Sequence, residues 1–332
     1  MPTGIKGLGR CGTNMLNPQP VSQASRGAGE TGLPKEVSAH AHAHPLPVRY
    51  PDAAERPSVV KPLSALPSET ARSIRVVLTD IDDTITTEGM LTASAYAALE
   101  RLHRAGFLVV PVTGRPAGWC DHIARMWPVD AVVGENGAFY FMYDRKQKKM
   151  RQHFWATPEE LRRNRARLAE IEREVLRTVP GAALASDQAY RVADLAIDFR
   201  EDVPALPETA VDRIVEVFEK AGAQAKVSSI HVNGWFGAYD KLSMARILLE
   251  QAFGIDWGTA RESVLFAGDS PNDEPMFAAF PLSVGVANVH AFAHRLKDKP
   301  AYVTQGHSGE GFTELASLLL SARAGTSPRP FD

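Results

Sequence analysis

The sequence predicts an α/β fold: a Rossmann-like three-layer core with a parallel sheet, plus an inserted α+β cap domain. Three observations predict it. Short apolar runs such as Val76-Val77-Leu78 and Ser263-Val264-Leu265-Phe266-Ala267 alternate with helical spacing, which is the rhythm of βαβ units. Two of these runs break off into acids, at Asp80-Ile81-Asp82-Asp83 and at Asp269 to Asp273. Residues 144–234 leave the rhythm for an αββαββ order, the mark of a separate inserted unit.

Composition sets outer bounds. The chain has 332 residues, enough for about two domains. It is 44% hydrophobic and 23% charged, an ordinary globular balance. A formal net charge of -2 gives no electrostatic case for nucleic acid or an anionic membrane as partner. The two cysteines, Cys11 and Cys120, have neither metal-type spacing nor the makings of a disulfide framework. A reducing, cytoplasmic setting is therefore expected. No apolar run is long enough to span a bilayer, and no apolar stretch follows Lys6 and Arg10 as a secretory leader would require.

Residues 1–70 are rich in Gly, Pro, Ser and Ala without apolar periodicity, so a disordered extension is expected there. Its His40, His42 and His44 alternate with alanine. Such a tract can bind metal, but here it reads as a solvated low-complexity segment. The core is expected over 71–143 and 237–322, the cap over 144–236, and a frayed end over 323–332.

The first core strand, through Leu78, is followed by a helix over Ser94 to Ala105 with Ala95, Leu99 and Leu102 on one face. Gly106 stands where a C-cap belongs. A second strand, Phe107 to Val112, runs into Thr113-Gly114-Arg115-Pro116. Right-handed crossover places its end beside the first acidic cluster. After a helix through Ile123, Ala131 to Gly134 reads as a strand. Asn136-Gly137 reads as a hairpin turn before Phe139 to Tyr143. The cap should hold helices over Pro158 to Arg177 and Glu208 to Ala221. Its strands should lie near Ala182–Ala185, Leu195–Arg200, Ala225–Ile230 and His231–Phe236. The core resumes with a helix opened by Asp240-Lys241 and the strand ending at Gly268. Further strands follow at Pro281–Val286 and Tyr302–Thr304, then an amphipathic helix to about Ala322.

Buried strands of an open α/β sheet deliver their trailing residues to its carboxyl edge, where such sheets place their sites. Three carboxylates in four residues repel one another. Either they form a charged turn, or a cation neutralises them, and oxygen-only ligands favour Mg²⁺. Thr113 and the backbone N–H groups after it can hold an anion, or Thr113 can cap the next helix. Asn136 can serve the turn or a ligand. Acids at two strand ends, Thr-Gly-Arg at a third and Lys241 at a helix start together make a site for Mg²⁺ and a phosphoryl group.

In its motifs the chain resembles the haloacid dehalogenase superfamily. Asp80-Ile81-Asp82-Asp83-Thr84 looks like its first motif, Thr113 its second, Lys241 its third, and Gly268-Asp269-Ser270-Pro271-Asn272-Asp273 its fourth. Thr-Gly-Arg-Pro, Glu-Asn-Gly-Ala and Gly-Asp-x-x-Asn-Asp most resemble the Cof-like subfamily, which carries a large α/β cap. The likeness runs over about residues 73–322. Departures are Asp83 and Leu242 where glycine is common, and Pro271 where a small residue is usual.

The resemblance implies a Mg²⁺-dependent phosphatase acting on a small phosphorylated metabolite, with a sugar phosphate expected. Asp80 would be the nucleophile, already ionised at an ordinary carboxylate pKa. Asp82 would be general acid and base, with its main-chain carbonyl on the metal. Asp80, Asp82, Asp269 and Asp273 would form the metal site. Thr113, Gly114, Arg115, Asn136, Lys241 and Asn272 would hold phosphate or substrate. A phosphomannomutase-like phosphosugar mutase, or a catalytically silent protein on the same fold, are the alternatives. Trp155, Asp187, Tyr190, Arg191, His231, Asn233 and Trp235 are the cap residues to inspect for substrate contacts.

Overall fold

The computed structural model describes residues 59–228 and 230–323. The expectations for residues 1–58, including the histidine tract and Cys11, and for 324–332 lie outside the described residues. Regular structure begins at Lys61, which shortens the extension expected through residue 70. Strand β1 (Lys61–Pro62) pairs in parallel with Tyr302–Val303. Leu63 and Leu66 are buried, and helix α1 (Ser68–Ser73) follows with Ala71 buried. A two-residue exposed strand leaves no periodicity to read, so the segment looks like tail.

Strand β2 (Val76–Thr79) leads through the acidic turn to α2 (Ala93–Arg104). Thr92 caps α2 by accepting from the Ala95 amide. Gly106, at φ 82°, ends it where a side chain would be strained. Next come β3 (Leu108–Pro111), α3 (Ala117–Met126) and β4 (Val132–Gly134). β4 turns back antiparallel into β5 (Phe139–Asp144), and β5 into β6 (Lys149–Phe154). β6 was not expected. It keeps residues 149–154 paired to β5, so the chain stays with this hairpin sheet past the boundary expected at 144.

The inserted unit begins at α4 (Pro158–Thr178). Thr157 and Glu160 close a reciprocal capping box at its start, and Pro158 fits the first turn. It continues through β7 (Ala183–Leu184), β8 (Asp194–Asp198), α5 (Glu208–Lys220), β9 (Gln224–Val227) and β10 (His231–Trp235). The sheet order is β7-β8-β10-β9, antiparallel throughout. The two helices bury Leu168, Ile171, Val175, Ile214 and Phe218 with this sheet in a core of their own.

The chain returns through α6 (Lys241–Ile247), α7 (Trp257–Ala260), β11 (Val264–Gly268), α8 (Glu274–Ala279), β12 (Leu282–Gly285), β13 (Tyr302–Val303) and α9 (Ser308–Ala322). The central sheet runs β1-β13-β12-β11-β2-β3, every pair parallel. Strand alternation splits its side chains between two layers. Val77, Val109 and Leu265 pack with α1, α2, α3 and α9. Val76, Leu78, Val110 and Phe266 pack with α6 and α8. Thr79 sits opposite both Ala267 and Pro111, so β2, β11 and β3 end side by side. Among the described residues no helix is long and apolar enough to cross a membrane.

Candidate active site

The carboxyl ends of these three strands bring the expected acids together. Asp80 follows β2, its amide bonded to the Ala267 carbonyl, and its side chain is almost wholly buried. Lys241 Nζ donates to Asp80 Oδ1 and to Asp273 Oδ1, each at 2.8 Å. The other Asp273 oxygen accepts from the Asp269 amide at 3.1 Å and holds the turn after β11. Thr84 Oγ1 donates to Asp269 Oδ1 at 3.3 Å. Asp83, between the acids and Thr84, stands at φ 57°. That left-handed conformation is why glycine would be at home there.

Asp80, Asp269 and Asp273 each offer an oxygen within 4.8 Å of the others. One lysine cannot balance three buried carboxylates. Burial raises the Asp80 pKa to about 7 against the pull of Lys241, with Asp273 and Asp82 adding to the rise. Burial, with Asp273 and Asp80, also pushes Asp269 well above the carboxylate range. Asp80 is therefore not simply ionised at its ordinary pKa, as expected from sequence. Burial alone would lower Lys241, but Asp273 and Asp80 outweigh it and hold the ammonium charged. An all-oxygen donor set with excess negative charge fits a hard divalent cation.

The Asp82 carboxylate stands outside this trio. It takes a two-point grip from Arg115, with Nη2 at 2.7 Å and Nε at 3.0 Å from Oδ1. Its side chain is thus not among the clustered metal ligands. Arg115 itself is buried and sits 4.4 Å over the Trp119 ring. Thr113 is fully buried, and its Oγ1 accepts from the Arg115 amide at 3.0 Å. It is not the cap of α3, whose preceding residue is Pro116. The cap of α3 is Glu135, which accepts from the Ala117 amide at 2.9 Å.

The turn Glu135-Asn136-Gly137 positions both sides of the site. Glu135 and Asn136 have positive φ, 44° and 56°. A Cβ on Gly137, at φ 106°, would stand 2.0 Å from the Asp240 carbonyl oxygen. Only glycine lets this turn press against the start of α6 and so fix Lys241. The Asn136 side chain lies against Gly114, where a Cβ would meet it at 3.2 Å. Its Nδ2 is buried without a hydrogen-bond partner and borders the cavity. Asn136 thus serves the turn and also presents a donor to the cavity.

That cavity measures about 30 Å³ and lies between core and inserted unit. From the core come Asp80, Asp82, Gly114, Arg115, Asn136 and Asn272. From the inserted unit come Arg191, Ser228, His231 and Asn233. Asn272 accepts from Ser270 Oγ at 2.9 Å. Of the cap residues singled out from sequence, Arg191, His231 and Asn233 line the cavity. Asp187 instead grips Arg191 at 2.9 Å. Trp155 and Trp235 pack around Tyr239, and Tyr190 is exposed.

Two residues escaped sequence reasoning. Glu135 accepts the amides of Val192, Ala193 and Asp194 besides that of Ala117. It is the seam between core and cap. Its neighbours in the Glu-Asn-Gly-Ala string were the only sequence cue. Glu201 has no cue. Its Oε1 lies 3.5 Å from Arg115 Nη1 and its Oε2 2.9 Å from His231 Nε2. Asp198 holds its loop by accepting the amides of residues 200, 201 and 202.

A family model described as haloacid dehalogenase-like hydrolase matches residues 77–163. A protein of Pyrobaculum neutrophilum named phosphoglycolate phosphatase is 31% identical over 255 residues, spanning 75% of this chain and 97% of that protein. Solved structures share the fold. A Thermoplasma acidophilum protein superposes with TM-score 0.57 at 17% identity, over 74% of this chain and 98% of its own. Sucrose-phosphatase from Synechocystis superposes with TM-score 0.51 at 16% identity, over 75% and 98%.

Proposed function

As the chain belongs to the haloacid dehalogenase-like hydrolase family and is a phosphatase, we propose that it is a Mg²⁺-dependent enzyme of the cytoplasm that hydrolyses a small sugar phosphate through an aspartyl-phosphate. The observation that carries this reading is Lys241 held between Asp80 and Asp273 at the carboxyl edge of the parallel sheet. It joins a buried nucleophile to a cation that can offset phosphate charge.

Asp80 attacks phosphorus through a carboxylate oxygen, and the bond to the leaving alcohol breaks. Asp82 gives that alcohol its proton, then takes one from the water that attacks the aspartyl-phosphate and frees Asp80. To carry a proton, Asp82 must leave the two-point grip of Arg115. Lys241, Asn136 and the Gly114 amide would hold the phosphoryl oxygens and steady their charge, the Arg115 amide being bonded to Thr113 Oγ1. Asn272 stands beside the cluster and orients it. Asp80, Asp269 and Asp273 would hold Mg²⁺, which supplies the positive charge that lets Asp80 stay ionised beside a phosphate dianion.

The test is release of inorganic phosphate from a panel of phosphorylated metabolites, with Mg²⁺ and with a chelator. Metal-dependent release is expected, with sugar phosphates among the best substrates. Because Asp80 must lose a proton to bind metal, apparent Mg²⁺ affinity should weaken as pH falls below about 7. Release indifferent to chelator would sink the reading. Turnover that needs a hexose bisphosphate and passes the phosphoryl group to sugar would identify a mutase instead.

A further inference from the structure

Both arginines that line the cavity already have carboxylate partners. Arg115 is held by Asp82, with Glu201 at 3.5 Å and Asp187 at 3.9 Å. Arg191 lies 2.9 Å from Asp187 and 3.0 Å from Asp194. Asn233 Nδ2 is likewise spent on Asp194. His231 Nε2 is buried 2.9 Å from Glu201 Oε2, within ion-pair range but without a directed hydrogen bond. Acids outnumber bases here, so a leaving group with its own negative charge finds repulsion rather than a partner. A polyhydroxylated, uncharged leaving group finds acceptors and donors instead.

Glu201 is the member of this set that can be changed without touching the core. It lies outside the cavity lining, about a third exposed, on a loop secured by Asp198. Yet it contacts Arg115 of the core and His231 of the inserted unit, one from each side of the cavity. Without its charge, part of the Arg115 guanidinium and the His231 ring would turn to substrate.

We propose that Glu201 sets specificity: by occupying Arg115 and His231 it withholds them from substrate, so the enzyme favours phosphate esters of neutral polyols and discriminates against phosphorylated carboxylic acids. Glu201 is a positioning residue here, acting through Arg115 and His231. The inference rests on the phosphatase reading of Asp80 given above.

The experiment measures kcat and KM for the best sugar phosphate of the panel and for phosphoglycolate. It uses wild type, Glu201→Gln and Glu201→Asp, with p-nitrophenyl phosphate as a reference ester whose leaving group carries neither carboxylate nor polyol. Wild type should prefer the sugar phosphate in kcat/KM. Glu201→Gln should shift the ratio toward phosphoglycolate by about twofold to fivefold, the scale of one partly exposed charge pair. The shift should lie in KM for the acid, and Glu201→Asp should restore most of the wild-type ratio. A merely structural role would move both substrates together. Wild type that prefers phosphoglycolate, or a ratio unmoved by Glu201→Gln, overturns the specificity role alone. Failure of wild type to release phosphate from any of these substrates with Mg²⁺ overturns the phosphatase reading, and this inference with it.

Discussion

Asp80→Asn should abolish phosphate release, by at least about 10³-fold in kcat, the scale seen when a covalent nucleophile is removed. Asparagine keeps the shape of the side chain and its place after β2, but cannot form the acyl phosphate. The variant should also remain folded. Asp80 has one hydrogen-bonding cation and sits buried against Asp269 and Asp273. Its pKa is raised on folding, so in metal-free protein its ionised form costs stability. That cost is absent near the ordinary carboxylate value of 3.8 and grows as pH rises to about 7. The asparagine variant lacks it. Metal-free Asp80→Asn should therefore melt no lower than wild type at pH 8, and its relative advantage should shrink toward pH 4. Appreciable turnover by the variant would remove Asp80 from the role of nucleophile.

Glu135→Gln should be as damaging to stability as Asp80→Asn is to activity. Burial and Asp194 raise the Glu135 pKa as well, to about 8, with Arg191 and the amides of Val192 and Ala193 opposing. The same substitution logic would suggest relief on neutralisation. The donors decide otherwise. Oε1 accepts from Ala117 and Val192, and Oε2 from Val192, Ala193 and Asp194. Glutamine has one oxygen to offer. Whichever way it turns, its NH₂ faces backbone N–H groups in a buried seam, and those amides lose their acceptor. Such hydrogen bonds to a charged group contribute about 1.5–3 kcal/mol each. A loss of about 3–5 kcal/mol is expected, as when one partner of a buried charge cluster is removed. For a chain of this size that is a fall in melting temperature of roughly 5–9 °C. A variant melting within a degree of wild type would show that the seam does not depend on this carboxylate.

The two residues also mark where the sequence is legible and where it is not. Asp80, Asp269, Thr113 and Lys241 each follow an apolar strand or open a helix, so one rule of sheet architecture brings them together. The helices were readable wherever an apolar stripe faced a core, as in α2, α5 and α9. β6 was hidden because its residues are charged or half-exposed and it pairs on one side only. Glu135 was hidden for a different reason. Its partners lie 57 to 59 positions away on another domain, and nothing in a hairpin turn announces a buried carboxylate. Arg115 looked like a phosphate ligand from its place after Thr-Gly. In the structure its guanidinium serves Asp82 and Glu201, because a carboxylate close by outcompetes open space.

The smallness of the cavity carries a consequence for motion. About 30 Å³ is room for two or three water molecules, given that one needs roughly 10–15 Å³. A phosphate ester needs more room than that, so core and cap are expected to part at each turnover. Such parting would draw Val192, Ala193 and Asp194 off Glu135 and expose three backbone amides that it otherwise holds. Those amides act as a clock. Their exchange with deuterated solvent counts openings, and a ligand that holds the cap shut slows it in proportion to the free energy by which it favours the closed form.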